Sequence, residues 1–333
     1  MQIILDDISC KDQFYPFTAT RSVVDMPVGI FTIKEKWENR YGQPVFLRSE
    51  VSHKTHNDDL MIPGNAIPDA DEGKLLNDPW DIILDNANEI AADFEFVKAT
   101  VTSQELSSSN RVINSSDIII AKGAKVEHCI LNAAAGPIYI DENAEIMEGS
   151  MLRGPVYIGK NTVVKMGSRI YGGTSIGSNC IVAGEIKNSL IIANSNKAHD
   201  GYLGDSIIGE WCNLGAGTSN SNLKNTAGVI NVWNHQKKQY ITKGTKHGLL
   251  MGDYTRCSIN TSFNTGTITG VCCNIFDVSF PPKYIPDFSW GKEKYKREKA
   301  FQDIQNWKAL KGSMLTDEEK EILSNIYNES LLY

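Results

Sequence analysis

A chain of 333 residues that is 41% hydrophobic and 22% charged carries enough apolar material to bury a sizeable core, and its length predicts two or three domains. A net charge of -7 and a pI near 5.5 argue against nucleic acid or an anionic membrane as partner, because such binding neutralises phosphates with clustered Lys and Arg. No apolar run approaches the roughly 20 residues that span a bilayer, Met1 to Asp6 lacks the marks of a secretory signal, and seven cysteines without a CxxC pair predict no disulfide framework, so the chain reads as cytoplasmic.

Residues 1–99 open on short apolar runs bounded by Pro and Gly: Phe14-Tyr15-Pro16-Phe17, Pro27 to Ile33, and Pro44-Val45-Phe46-Leu47. Ile33 to Tyr41 and Trp80 to Ala92 read as helices, so this region is predicted to be a small α/β module. The polar stretch Thr100 to Asn110, with Ser103 and Ser107 to Ser109, predicts a linker, placed at 100–117.

From Ile118 to about Ile275 a period of six takes over, the signature of a solenoid. Every sixth residue from Ile140 is aliphatic: Ile140, Ile146, Leu152, Ile158, Val164, Ile170, Ile176 and Val182. Four places after each stand Ala144, Ser150, Val156, Thr162, Ser168, Thr174, Cys180 and Ile186, of which all but the last are no larger than Val. A six-residue side of a triangular coil needs one aliphatic residue to fill the interior and one small inward residue near the corner. A single coil exposes that face, so stacking is what buries it.

The pattern begins at Ile120 and Val126, and resumes at Ile208 and Leu214 and again at Met251, Cys257 and Phe263. Cys180 and Cys212 occupy positions where Thr or Ser would serve, so packing accounts for them. The chain is therefore predicted to be mainly β, with a parallel β-helix of hexapeptide repeats over 118–280. Two segments interrupt the phase, Asn188 to Gly201 and Ser219 to His247, and interruptions in a solenoid commonly carry function.

After Pro281-Pro282 the period is lost. Charges alternate at helical spacing from Lys292 to Leu310, and Thr316-Asp317-Glu318-Glu319 has the form of a capping box. Residues 281–333 are predicted to form a helical tail that caps the solenoid end.

The run Lys197-Ala198-His199-Asp200-Gly201-Tyr202-Leu203-Gly204-Asp205, followed by Ile208-Gly209-Glu210-Trp211-Cys212-Asn213-Leu214-Gly215-Ala216-Gly217-Thr218, closely resembles the acetyltransferase half of bifunctional N-acetylglucosamine-1-phosphate uridylyltransferase. The resemblance implies a left-handed β-helix, a homotrimer, acetyl-CoA as acyl donor, and no metal in acyl transfer. It implies His199 as the general base that takes a proton from a sugar amine, a task suited to an imidazole titrating near working pH. Arg169 and Lys187 would hold the sugar phosphate, Tyr202 and Asn213 would line the sugar pocket, and Asn222 would lie near the acetyl donor. The family continues after the position of Asn222 with a Tyr, where this chain has Leu223, and the segment around Trp233-Asn234-His235-Gln236-Lys237-Lys238 is unlike it. That segment is expected to supply a different acceptor pocket or a subunit contact.

Phe14 to Ile30, with Arg21, looks like the opening of sugar-phosphate nucleotidyltransferases, whose Arg-containing signature loop follows the first strand. Leu5-Asp6-Asp7 stands where that family has a Gly-rich loop whose amides approach a triphosphate, so a shortened relative without pyrophosphorylase activity is expected. The expected function is acyl-CoA-dependent N-acyl transfer to an amino sugar phosphate or nucleotide sugar. The alternatives are a non-catalytic or regulatory β-helix protein, or nucleotidyl transfer by the N-terminal region. A metal-dependent hydrase, as in another β-helix family, needs a close-spaced His pair plus a third, a spacing that His128, His199, His235 and His247 lack, while His53 and His56 lie outside the solenoid.

Overall fold

The computed structural model describes residues 2–50, 59–69, 73–276 and 279–332, so His53 and His56 fall outside the described residues. The six-residue period folds into a parallel β-solenoid. Each side is a strand of two or three residues, and coils stack in register: Ile120 pairs with Ile140, Ile140 with Ile158, and Ile158 with Ile176. Three faces result, sheets of ten, nine and six strands. Both inward series, Ile140 to Val182 and Ala144 to Ile186, are buried, none more than 2% exposed. Cys180 and Cys212 belong to this interior and donate to the carbonyls of Ile192 and Gly252, and all seven cysteines are buried and unbridged.

Of the two expected interruptions only the second leaves the stack. Through Asn188 to Gly201 the ladder is continuous, because Ile176 pairs with Ile191, fifteen residues on, instead of the usual eighteen. A shortened coil shifts the phase without leaving the stack. The second break is a true excursion: Ile208 pairs with Met251, and the chain between them forms an antiparallel hairpin of Ile230–Asn234 and Gln239–Lys243.

One corner explains the tail. In successive coils it is held by a residue of left-handed backbone: Asn143, Asn161, Asn179 and Asn194, then Trp211, Tyr254, Cys272 and Phe288. Asn tolerates that conformation better than bulky residues do. The change to apolar residues makes a stripe that must be covered. The helices Arg297–Ala309 and Asp317–Glu329 cover it, packing Ala300, Ile304, Leu323 and Ile326 with Tyr254, Val271, Cys272 and Phe288. The tail thus runs along an edge of the solenoid, where Lys311 donates to the carbonyls of Asn179 and Asn194 at 2.7 and 2.9 Å. The capping box of the second helix forms as expected, with Glu319 N donating to Thr316 Oγ1 and Thr316 N to Glu319 Oε2.

Two boundaries also differ in detail. The helix expected at Trp80 runs over Pro79–Thr100, capped by Asp78, and the stretch after it lies along the first coil, with Gln104 donating to Ala121 O, Asn110 to Val126 O, and Arg111–Ile113 paired with Ile130–Asn132. The polar side chains there satisfy the backbone of a sheet that would otherwise end bare. Beyond Pro282, Tyr284–Ile285 and Ser289–Trp290 still pair with the preceding coil before the helix Arg297–Ala309 begins.

The N-terminal module has a parallel sheet with Ile3–Asp6 between Phe46–Leu47 and Leu60–Pro63. It packs broadside on the solenoid, sharing one apolar cluster that joins Phe14, Phe17 and Trp80 to Leu190, Ile207 and Leu250. Asn86 of the long helix, fully buried, bolts the two together: it accepts from Gly29 N and donates to Gly173 O and Ser175 Oγ. Gly29 is required at this joint, because its φ is +79° and a Cβ would lie 2.5 Å from Asp93 Oδ2.

Candidate functional site

The residues singled out by resemblance distribute around one edge of the prism. Arg169, Glu185 and Tyr202 are register partners on the six-stranded face, so they form a row across three coils. Arg169 Nε lies 3.7 Å from Glu185 Oε2, with both side chains partly exposed, an ion pair of little energetic weight. Lys187, two residues past Glu185 and exposed, stands opposite Gly204.

Gly204 is where the Tyr202 ring lies, since a Cβ there would fall 2.2 Å from the Tyr202 hydroxyl. Asn222 Nδ2 donates to that hydroxyl at 3.1 Å and to Asp205 Oδ2 at 2.5 Å. Asn188 Nδ2 takes the other oxygen of Asp205 at 2.6 Å. Burial first, then the charges of Asp205 and Glu185, hold the Tyr202 phenol above its ordinary pKa, so it stays a neutral hydrogen-bonding group. Lys187, Tyr202 and Asn222 are thus neighbours on one face.

His199 occupies the corner between the ten-stranded face, which ends in Asn196–Lys197, and the six-stranded face, which begins with Tyr202–Gly204. It is exposed, and its ring makes no hydrogen bond among the described residues. Asn213 lies on the ten-stranded face, paired with Asn196 and Arg256, so a single chain brings it to the opposite flank of the His199 corner from Tyr202.

Lys197 lies within the motif run but has no role in the sequence reading, and the structure gives it an unusual place. It pairs with Val182 and takes an interior slot of the stack, where it is 3% exposed. Its stem fills the slot in place of an aliphatic residue, and its amine turns to the corner, donating to Ala183 O and His199 O at 2.9 Å each. Burial, and more weakly the charge of Arg169, bring its pKa from 10.5 down to about 8, while Asp200 opposes. The signal available was a Lys in phase with Val164 and Val182 once the shortened coil is allowed for.

A cavity of about 330 Å³ adjoins this face. Lys187, Asn188, Asp205 and Asn222 line it from the solenoid, Lys246 and His247 from the segment after the hairpin, and Trp80, Ile83 and Leu84 from the long helix of the N-terminal module. No local pattern in the sequence signals that a module of different character supplies a wall here.

A larger cavity, about 500 Å³, lies between the module and the nine-stranded face. Several of its polar groups engage one another: Tyr139 and Tyr157 both donate to Asp141, at 2.7 and 3.2 Å, and Lys160 pairs with Glu142. Among the described residues no group of three His, Cys, Asp or Glu could hold a metal ion, and no helix is long and apolar enough to cross a membrane.

Comparison with known proteins adds two strands. The family described as sugar nucleotidyl transferase matches residues 2–71. Curated relatives include the bifunctional protein GlmU of Methanocaldococcus jannaschii, 36% identical over 91 residues, and a bifunctional sugar-1-phosphate nucleotidylyltransferase/acetyltransferase of Sulfurisphaera tokodaii, 35% identical over 92 residues. These matches take 27% and 28% of this chain, and the chain spans only 22% and 23% of those relatives' lengths. Among solved structures, a mutant perosamine N-acetyltransferase from Caulobacter crescentus in complex with CoA and GDP-perosamine is 10% identical, covering 83% of this chain and 93% of that one, with a TM-score of 0.20. A putative acetyltransferase from Bacillus cereus is likewise 10% identical, with 67% and 93% coverage and a TM-score of 0.17.

Proposed function

We propose that this protein is an acyl-CoA-dependent N-acyltransferase acting on an amino sugar phosphate or nucleotide sugar, with acetyl-CoA as donor and His199 as general base. The observation that carries the reading is an exposed imidazole that makes no hydrogen bond among the described residues, at the corner from which the strand Tyr202–Gly204 starts, its backbone anchored by Lys197. In the reaction the amine nitrogen attacks the thioester carbonyl, forming the amide C–N bond. The C–S bond breaks and CoA leaves as thiolate. His199 takes the proton from the amine, and the same proton serves the departing thiolate.

Arg169 and Lys187 suit the sugar phosphate, one as a planar fork and the other as a point charge. Tyr202 and Asn222 suit the ring hydroxyls and the acyl donor. Since Asn213 flanks the same corner from the other face, a site shared with a neighbouring copy would use both flanks, which favours a homotrimer. Nucleotidyl transfer by the N-terminal module is the weaker reading. Arg21, in the segment that resembles the nucleotidyltransferase signature, is engaged by Asp253 and Glu210 of the solenoid, an arrangement that supports a docking role for it.

The test is acetyl-CoA with amino-sugar phosphates, following free CoA. The unaltered chain should turn over, and His199→Ala should lose roughly 10²- to 10⁴-fold in kcat while keeping its fold and oligomeric state. Unchanged turnover in that variant defeats the assignment of His199, and CoA binding without turnover on any amino sugar would favour a non-catalytic role.

A further inference from the structure

The cavity beside Lys187 is built by three parts of the chain that are far apart in sequence: the solenoid coil, the segment after the hairpin, and the long helix of the N-terminal module. Its mouth carries two exposed lysines, Lys187 and Lys246. Inside stand Asp205, held by the amides of Asn188 and Asn222, and His247. His247 is 7% exposed, its ring lies edge-on to Trp80 at 4.5 Å, and its Nδ1 is buried with no hydrogen-bond partner among the described residues. Buried polar atoms are nearly always paired, so an orphan beside a cavity points to a ligand or water that completes it. The distribution of chemistry is that of a phosphorylated sugar: cations outside for the phosphate, and amide, carboxylate and imidazole inside for hydroxyls, against an indole wall.

We propose that this cavity receives the phosphorylated sugar of the acceptor, with its phosphate at Lys187, where Lys246 adds a second cation, and its ring hydroxyls facing Asn188, Asp205 and His247, so that the N-terminal module walls the acceptor site in the same chain. The proposal rests on the acyltransfer reading and extends it. It gives the N-terminal module a task that needs no nucleotidyl chemistry. It also assigns specificity to Lys246, His247 and the face of the helix that carries Leu84, none of which the sequence resemblance includes.

The experiment is titration calorimetry of the full chain with glucosamine 1-phosphate and with glucosamine. Leu84 is 71% exposed and Lys246 is exposed, so Leu84→Trp, which fills the mouth, and Lys246→Glu, which reverses a charge, should both fold, with melting temperatures that check it. The expected result is at least tenfold weaker binding of glucosamine 1-phosphate in each, with glucosamine not weakened by Lys246→Glu. Binding like that of the unaltered chain in both variants overturns the cavity as the acceptor pocket. If Lys187→Glu alone then loses the sugar phosphate, the acyltransfer reading stands without it. If the unaltered chain binds no amino-sugar phosphate, both fail.

Discussion

Arg21 of the N-terminal module donates to the carboxylate of Asp253 in the solenoid, and the two side chains are only 14% and 2% exposed. Glu210 Oε2 lies 3.4 Å from the same guanidinium nitrogen, and Thr20 Oγ1 donates to Asp253 Oδ2 at 2.6 Å. A buried carboxylate is tolerable only while it is paired. Arg21→Met should therefore lower stability by about 3–5 kcal/mol, the usual cost of stranding one partner of a buried pair. Urea denaturation checks it, and a loss under about 1 kcal/mol would mean that the clamp does not hold the module down.

Lys197 places a cation inside an apolar stack. The unfolded chain keeps this proton up to pH 10.5, and the folded chain releases it near 8. Between those values the unfolded state binds more protons, so the contribution of this group to stability rises with pH from about 8 to 10.5. Lys197→Met should remove that rise from the pH profile of the urea midpoint. It should also lower kcat roughly tenfold with little change in KM, because His199 O loses its anchor, a barrier change of about 1.4 kcal/mol. A variant with the same kcat as the unaltered chain would leave Lys197 a packing residue only.

Thr162 and Thr174 hold equivalent small inward positions, yet their hydroxyls differ. Thr162 Oγ1 donates to Gly177 O at 2.6 Å and accepts from Cys180 N at 3.0 Å, whereas Thr174 Oγ1 is buried without a hydrogen-bond partner among the described residues. Thr162→Val should cost about 1–3 kcal/mol, and Thr174→Val should be neutral or stabilising by about 1 kcal/mol. Thermal melts of the two variants decide it; equal losses would contradict the difference in bonding.

His235, on the hairpin tip, stacks on Tyr15 at 3.7 Å. Burial, then the charge of Lys238, bring its pKa from 6.5 down to about 4, with Asp12 opposing. As pH falls below 6.5 the unfolded state takes up a proton that the folded state refuses until about 4, so stability falls across that window. His247, lowered from 6.5 mainly by burial, acts in the same direction. His235→Phe should keep the stack and flatten the dependence of the urea midpoint between pH 6.5 and 4. A slope unchanged by the substitution would remove His235 as its source.

The solenoid is legible in the amino-acid order alone. A period of six with an aliphatic and a small residue per side is a local rule, and stacked coils repeat the same local geometry, so Ile140 to Ile186 could be assigned to the interior before any contact was known. The helix Ile33–Tyr41 and the capping box at Thr316 were legible for the same reason, since both depend on residues within one or two turns. Tertiary structure decided what no local rule contains. It closed the phase break after Asn188 into a shortened coil that carries Lys197 inward, and it laid the tail along the Trp211, Tyr254, Cys272 and Phe288 corner. It also joined Trp80, Lys187 and His247, 107 and 60 positions apart, around one cavity. Such contacts follow from which apolar faces remain to be covered once the coils have stacked, and that is a property of the assembled surface, not of any one segment.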